Sequence, residues 1–143
     1  MQLLQPPGWK APKGYANGIA AEGRQVFISG QIGWNAEQQL VGSDFVDQAR
    51  QALLNVVAVL AEAGGKPEHL TRMTWYVVDK REYIDSGRAL GAAYREIFGR
   101  HYPAMSAVEV RALMEDGAKV EIECTAVIPT AMIPRDSSNA HAG

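Results

Sequence analysis

Apolar residues recur along this chain at two periods, and the changes of period divide it into elements. Val46, Ala49, Leu53, Val56 and Leu60 stand three or four apart, the spacing of one buried helical face. Ser43 or Asp44 supplies a cap before this helix, and Gly64-Gly65 and Pro67 end it. Tyr83, Gly87, Leu90, Tyr94 and Ile97 repeat the helical spacing, with Asp79-Lys80 as the turn into this second helix and Gly99 as its stop. Between the helices, Leu70 to Val78 is rich in β-branched and aromatic residues and reads as a strand. Further strands are expected over Gln25 to Ser29, Ser106 to Val110 and Lys119 to Val127, with Met114 to Gly117 as a polar turn. Tyr15 to Ala21 and Gln25 to Ser29 flank Glu22-Gly23-Arg24 and suggest a β-hairpin. The proline-rich start, residues 1–14, reads as an extended arm, and Gly30 to Gly42 as a loop with at most a short strand.

The order β-β-α-β-α-β-β predicts an α+β fold in which both helices cover one face of a mixed sheet. The alternation of the last strand then sorts its residues. If Val120, Ile122, Cys124 and Ala126 lie under the helices, Glu121, Glu123 and Thr125 project from the other face, joined by Phe27, Ser29 and one of Trp75 and Tyr76. A face mixing carboxylates with large aromatics is too apolar for simple solvation and too polar for a monomer core. Burial between copies of the chain is therefore expected, and polar residues gathered there would form clefts.

Length changes this picture little: 143 residues fit one domain, 1–143, with the arm 1–14 at one end and a flexible tail 130–143 at the other. No apolar run approaches a membrane span and no signal-peptide pattern opens the chain, so a cytoplasmic protein is expected. The net charge of −2 and the scattered basic residues argue against nucleic acid as a partner. His69, His101 and His141 have no metal-ligand spacing, no GxSxG elbow is present, and the lone Cys124 falls on the core side of its strand.

Two places remain for chemistry. Ser29-Gly30 at a strand end offers backbone N–H groups and a hydroxyl to a ligand, though the pair also serves as an ordinary strand-ending turn. Glu121 and Glu123 share one side of a strand about 6.6 Å apart. Burial and like charge would suit one of them to general acid or base work, and ion pairing with a neighbouring lysine or arginine is the plainer alternative.

Ile28-Ser29-Gly30-Gln31, the helix Gln48 to Leu53 with Asn55-Val56, Tyr76-Val77-Val78-Asp79, Tyr102-Pro103-Ala104 and Val120-Glu121-Ile122-Glu123 together resemble the RidA family, also called the YjgF or L-PSP family. The match runs from about Gly14 to Pro129. The resemblance implies a chorismate-mutase-like α+β protomer and a homotrimer with its sheets facing inward and a small-molecule ligand in each of three inter-subunit clefts. It implies hydrolysis of reactive enamines or imines to keto acid and ammonia, with neither metal nor organic cofactor. It further implies that Glu123 orients water as the catalytic residue, and that Tyr15, Ser29 and Gly30 contact substrate. Apart from the resemblance, the aromatic residues Trp34, Trp75 and Tyr102 could line a pocket, with a place in the core as the plainer alternative. The family's carboxylate-binding arginine follows Pro-Ala, and here that position is Met105. Methionine cannot form the two charge-assisted hydrogen bonds of a guanidinium fork. Arg111 is about 20 Å farther along the strand by its rise, whereas Arg100 and His101 lie in the preceding loop and are closer replacements. A substrate other than a simple 2-imino acid is expected. The alternatives are a non-catalytic binding trimer and, from the family's older label, an endoribonuclease that inhibits translation.

Overall fold

The computed structural model describes residues 1–130, so the expected tail lies, except for Thr130, outside the described residues. Its elements are β1 (Gln2–Leu4), β2 (Gly18–Ala20), β3 (Arg24–Ile32), α1 (Phe45–Glu62), a 3-10 turn (Pro67–His69), β4 (Leu70–Val77), α2 (Lys80–Asp85), α3 (Gly87–Phe98), β5 (Ala104–Glu109) and β6 (Val120–Ile128). The main sheet has the order β3-β6-β4-β5, with β4 and β5 parallel and the other pairs antiparallel. The parallel pair requires a crossover, which α2 and α3 supply.

Helix α1 begins where the Asp44 side chain accepts a hydrogen bond from the Asp47 N–H at 3.0 Å. Its buried face, Ala49, Ala52, Leu53, Val56 and Leu60, packs on the sheet with Ile28, Ile122 and Ala126. Leu90, Tyr94 and Phe98 of α3 complete the same core with Met73, Trp75 and Cys124. The expected placement of both helices on one face of a mixed sheet therefore holds. Along β6 the even-numbered residues from Val120 to Ile128 are buried, while Glu121, Glu123, Thr125 and Val127 are not.

Three local expectations need correction. The hairpin does not form: β2 pairs with β1, in the register Leu3 to Ile19, while β3 pairs with β6. Glu22-Gly23 carries the chain from one sheet to the other instead of reversing it within one. Consequently the arm 1–14 is not wholly irregular, because Gln2–Leu4 finds the free edge of β2. Finally, the second helix is divided at Ser86, whose φ of −88° and ψ of 7° lie off the helical region. Ser86 and Gly87 are weak helix formers in sequence, and the apolar spacing is blind to such a break. Asp79 still caps the first half through Arg81 N–H and Glu82 N–H, and Gly99 ends the second half at φ 67°.

Candidate functional site

The uncovered face of the sheet carries Phe27 and Ser29 from β3, Arg72, Thr74 and Tyr76 from β4, and Glu121, Glu123 and Thr125 from β6. Alternation placed most of these, and of the pair left open in the sequence Tyr76 takes this face while Trp75 enters the core. Phe27 remains 72% exposed in a single copy of the chain, as an interface residue would be.

Glu123 sits at the centre of this face. Across β3 the register passes from Ile28 opposite Cys124 to Gln31 opposite Ile122, so Ser29 and Gly30 together oppose Glu123. That is a β-bulge, which interrupts the ladder and re-aims side chains, as bulges beside active sites do. Gly30 is required here by close approach: a Cβ on it would stand 2.5 Å from Oε2 of Glu121. Thus Glu121 is laid against the bulge, whereas Glu123 faces a cavity lined by Phe27, Ser29, Arg72, Thr74 and Thr125.

On the other side of Glu123, the Tyr76 hydroxyl donates to its Oε1 at 2.5 Å. This bond is the chief reason the Tyr76 phenol titrates above its ordinary range, with burial and the carboxylate charges adding to it and Arg72 opposing it. One carboxylate oxygen is thereby held and the other left for a ligand or water. Replacing Tyr76 with phenylalanine removes the contact that fixes the carboxylate, so a reaction carried by Glu123 is expected to lose about tenfold in kcat with KM changed little. An unchanged kcat would remove Tyr76 from the site. The neighbouring Cys124 thiol is pushed up to about 12, first by burial and then by Glu123, and stays a protonated core residue at neutral pH.

Met105 lies elsewhere. In the parallel ladder it pairs with Met73, and its side chain packs against the core on the helix side of the sheet. It lines a separate cavity of about 450 Å³ with Trp75, Tyr83, Leu90, Tyr94 and Tyr102. Tyr15 and Arg100 line a third groove beside the N-terminal arm, with Tyr102 as the wall shared between the two. The Ala16 N–H, bonded to the Pro103 carbonyl at 3.0 Å, holds Tyr15 there. His101, one of the two proposed replacements for the arginine, is tied to the Leu70 carbonyl through Nε2 at 2.7 Å, and its own carbonyl accepts from the Tyr94 hydroxyl. Within one copy of the chain, then, the residues singled out in the sequence form two groups. Ser29, Gly30 and Glu123 lie on the open face, and Tyr15, Arg100, Tyr102 and Met105 lie by the β5 edge. Arg72 and Tyr76 were not singled out as site residues, although the two-residue alternation along β4 carries both to Glu123.

A four-stranded mixed sheet with its helices in one layer on one face, and an acidic residue opposite a bulge on the other, is the architecture that the comparisons also find. The family model described as Endoribonuclease L-PSP matches residues 8–128, and the chain belongs to that family, which the sequence motifs had indicated as RidA/YjgF. It is 36% identical over 91% of its length to a RutC family protein of Synechocystis, of which it covers 98%. It is also 36% identical over 79% of its length to the 2-iminobutanoate/2-iminopropanoate deaminase of Escherichia coli, covering 86% of that protein. Among solved structures, a Rid family protein of unknown function from Yersinia pestis is similar with a TM-score of 0.79 and 31% identity, over 89% of this chain and 98% of the other. The YjgF gene product of Escherichia coli is similar with a TM-score of 0.62 and 35% identity, over 79% of this chain and 87% of the other.

Proposed function

We propose that this chain hydrolyses a small reactive imine or enamine to a carbonyl compound and ammonia, in a cleft formed where two copies of a homotrimer meet. The observation that carries the reading is the Glu123 carboxylate, held at one oxygen by Tyr76 and open at the other, opposite the Ser29-Gly30 bulge. The similarity to imine deaminases supports the same chemistry. Glu123 orients a water and takes its proton as the oxygen attacks the imine carbon. The nitrogen gains a proton, the C–N bond of the tetrahedral adduct breaks, and carbonyl product and ammonia leave. Water is the only co-reactant, so the balance closes.

The separation of these residues into one group on the open face and one by the β5 edge supports a site shared between copies. The β5 edge of one copy, with Tyr15, Tyr102 and Met105, would meet the open face of the next, with Ser29, Gly30 and Glu123. The exposed Phe27 is then buried on assembly. Phe27→Glu is expected to shift the sedimentation mass from three copies to one at micromolar concentration, because a charge on a desolvated apolar contact costs several kcal/mol. A native protein that sediments as one copy would contradict the proposal.

Met105 argues that the substrate is not a simple 2-imino acid, and it is also the observation that favours a binding-only trimer. The experiment that separates these readings follows keto acid and ammonia release from freshly generated imines, with native protein and with Met105→Arg. Turnover by the native protein that Glu123→Gln abolishes supports hydrolysis. Ligand binding with no turnover by either form supports the binding trimer. The endoribonuclease reading rests on the family's name, and the basic residues scattered along a chain of net charge −2 do not favour it.

A further inference from the structure

The cavity beside Met105 shows what could replace the missing arginine. Its floor is Trp75, Leu90, Tyr94 and Met105, with Tyr83 standing edge-on to the Trp75 ring at 5.9 Å. Such a wall takes a large apolar or aromatic group. At its rim are two cations, Lys13 and Arg95, neither of which is ion-paired among the described residues. Position 91, one helical turn before Arg95 on α3, is glycine. A Cβ on Gly91 would stand 3.1 Å from the Arg95 Nη1, so the guanidinium packs closely over the bare backbone there. Trp75 contributes a further feature: its indole Nε1 is buried and has no hydrogen-bond partner among the described residues. A buried donor without a partner is costly, and an acceptor on a bound ligand would relieve it.

Resting on the hydrolase reading above, we propose that Arg95 holds the carboxylate of the substrate, and that the substrate is a 2-imino acid whose side chain is large and apolar, aromatic or branched. The guanidinium supplies the planar two-point grip that Met105 cannot, from the helix side of the cavity instead of the strand side. Met105 and the aromatic residues then select the side chain. Arg72 is the competing cation: it lies beside Glu123 on the open face, which a neighbouring copy would bring to this cavity, so its own variant belongs in the test.

Binding of stable 2-oxo acids tests this without requiring turnover, so its failure is distinct from failure of the hydrolase reading. By calorimetry, 3-phenyl-2-oxopropanoate is expected to bind at least about tenfold more tightly than pyruvate, the gain of burying several apolar carbons. Arg95→Gln should weaken the phenyl compound about ten- to a hundredfold, the range of charge-assisted hydrogen bonds, and leave the uncharged 1-phenylpropan-2-one unchanged. Equal binding of pyruvate and the phenyl acid would overturn the side-chain assignment. Unchanged binding in Arg95→Gln, or a loss seen with Arg72→Gln instead, would overturn the role of Arg95. Should native protein bind as expected while Glu123→Gln leaves every turnover unaltered, the hydrolase reading would fail and the ligand assignment would stand.

Discussion

Replacing Glu123 with glutamine is expected to lower kcat for imine hydrolysis by about 10²- to 10⁴-fold, the usual contribution of a positioned general base, while binding of the carbonyl product changes little. The substitution keeps the shape of the side chain and an acceptor for the Tyr76 hydroxyl, which bonds Oε1 at 2.5 Å. It removes only the capacity to take a proton. Glu123 is exposed at a β-strand position whose inward neighbours, Ile122 and Cys124, carry the packing, so the fold should be unaffected. Circular dichroism with steady-state kinetics checks both halves of this expectation. A fall in kcat of less than threefold would take Glu123 out of the chemistry.

The largest expected effect on stability belongs to a polar residue. Gln48 on α1 is fully buried, and its amide donates to the Gly42 carbonyl at 2.8 Å and the Gly117 carbonyl at 3.0 Å, while its oxygen accepts from the Lys119 N–H at 2.8 Å. One side chain therefore ties α1 to the loop before it and to the loop that enters β6. Gln48→Leu has nearly the same volume but leaves two carbonyls and one N–H, all part-buried where they meet Gln48, without that partner. A fully buried group so orphaned costs about 1–3 kcal/mol, and water can reach these from the exposed Gly42 and Gly117, so a loss of about 2–3 kcal/mol is expected. For a domain this size that is a fall in Tm on the order of 10 °C, measurable by calorimetry. A loss below 1 kcal/mol would show that the two loops are held by other contacts.

The contrast between these residues marks what could be read from the sequence. Glu123 was visible because a strand has a period of two and its inward residues are unmistakably apolar, so the outward face follows by subtraction. The same reasoning located α1, β4, β5 and β6. Gln48 was not visible as a core residue, since its burial depends on loops brought from residues 42 and 117–119, and nothing local distinguishes it from an exposed helical glutamine. Likewise β1 was missed because its only partner is β2, a pairing set by where the N-terminus returns in space. The break at Ser86 escaped because the apolar spacing continues through it. For the site, Ser29-Gly30 and Glu123 were legible as a pair. Their grouping with Arg72 and Tyr76 follows from the order β3-β6-β4, which places two edges around a central acid and has no signature in the chain itself.

Arg95 belongs to the second kind. Its neighbour Gly91, one turn earlier, reads in a helix simply as a weak former. The packing of the Arg95 guanidinium over that glycine, at the wall of the cavity, has no mark in the sequence. Met105 reads in the sequence as the absence of a cation, and its company of Trp75, Tyr83, Tyr94 and Tyr102 came only with the fold.

If the hydrolytic site forms from two copies, Glu123 from one and the cavity by Met105 from the next, mixing two differently impaired subunits restores it. Glu123→Gln removes the base, and Gly91→Trp fills the cavity, so each variant alone should be inactive. Co-expressed in equal amounts and assembled at random, they should recover about a quarter of the native rate of ammonia release, because in a cyclic trimer each mixed assembly contains one junction with both intact halves. A mixture that stays at the sum of the two separate variants would contradict the account and place the reacting groups within a single chain.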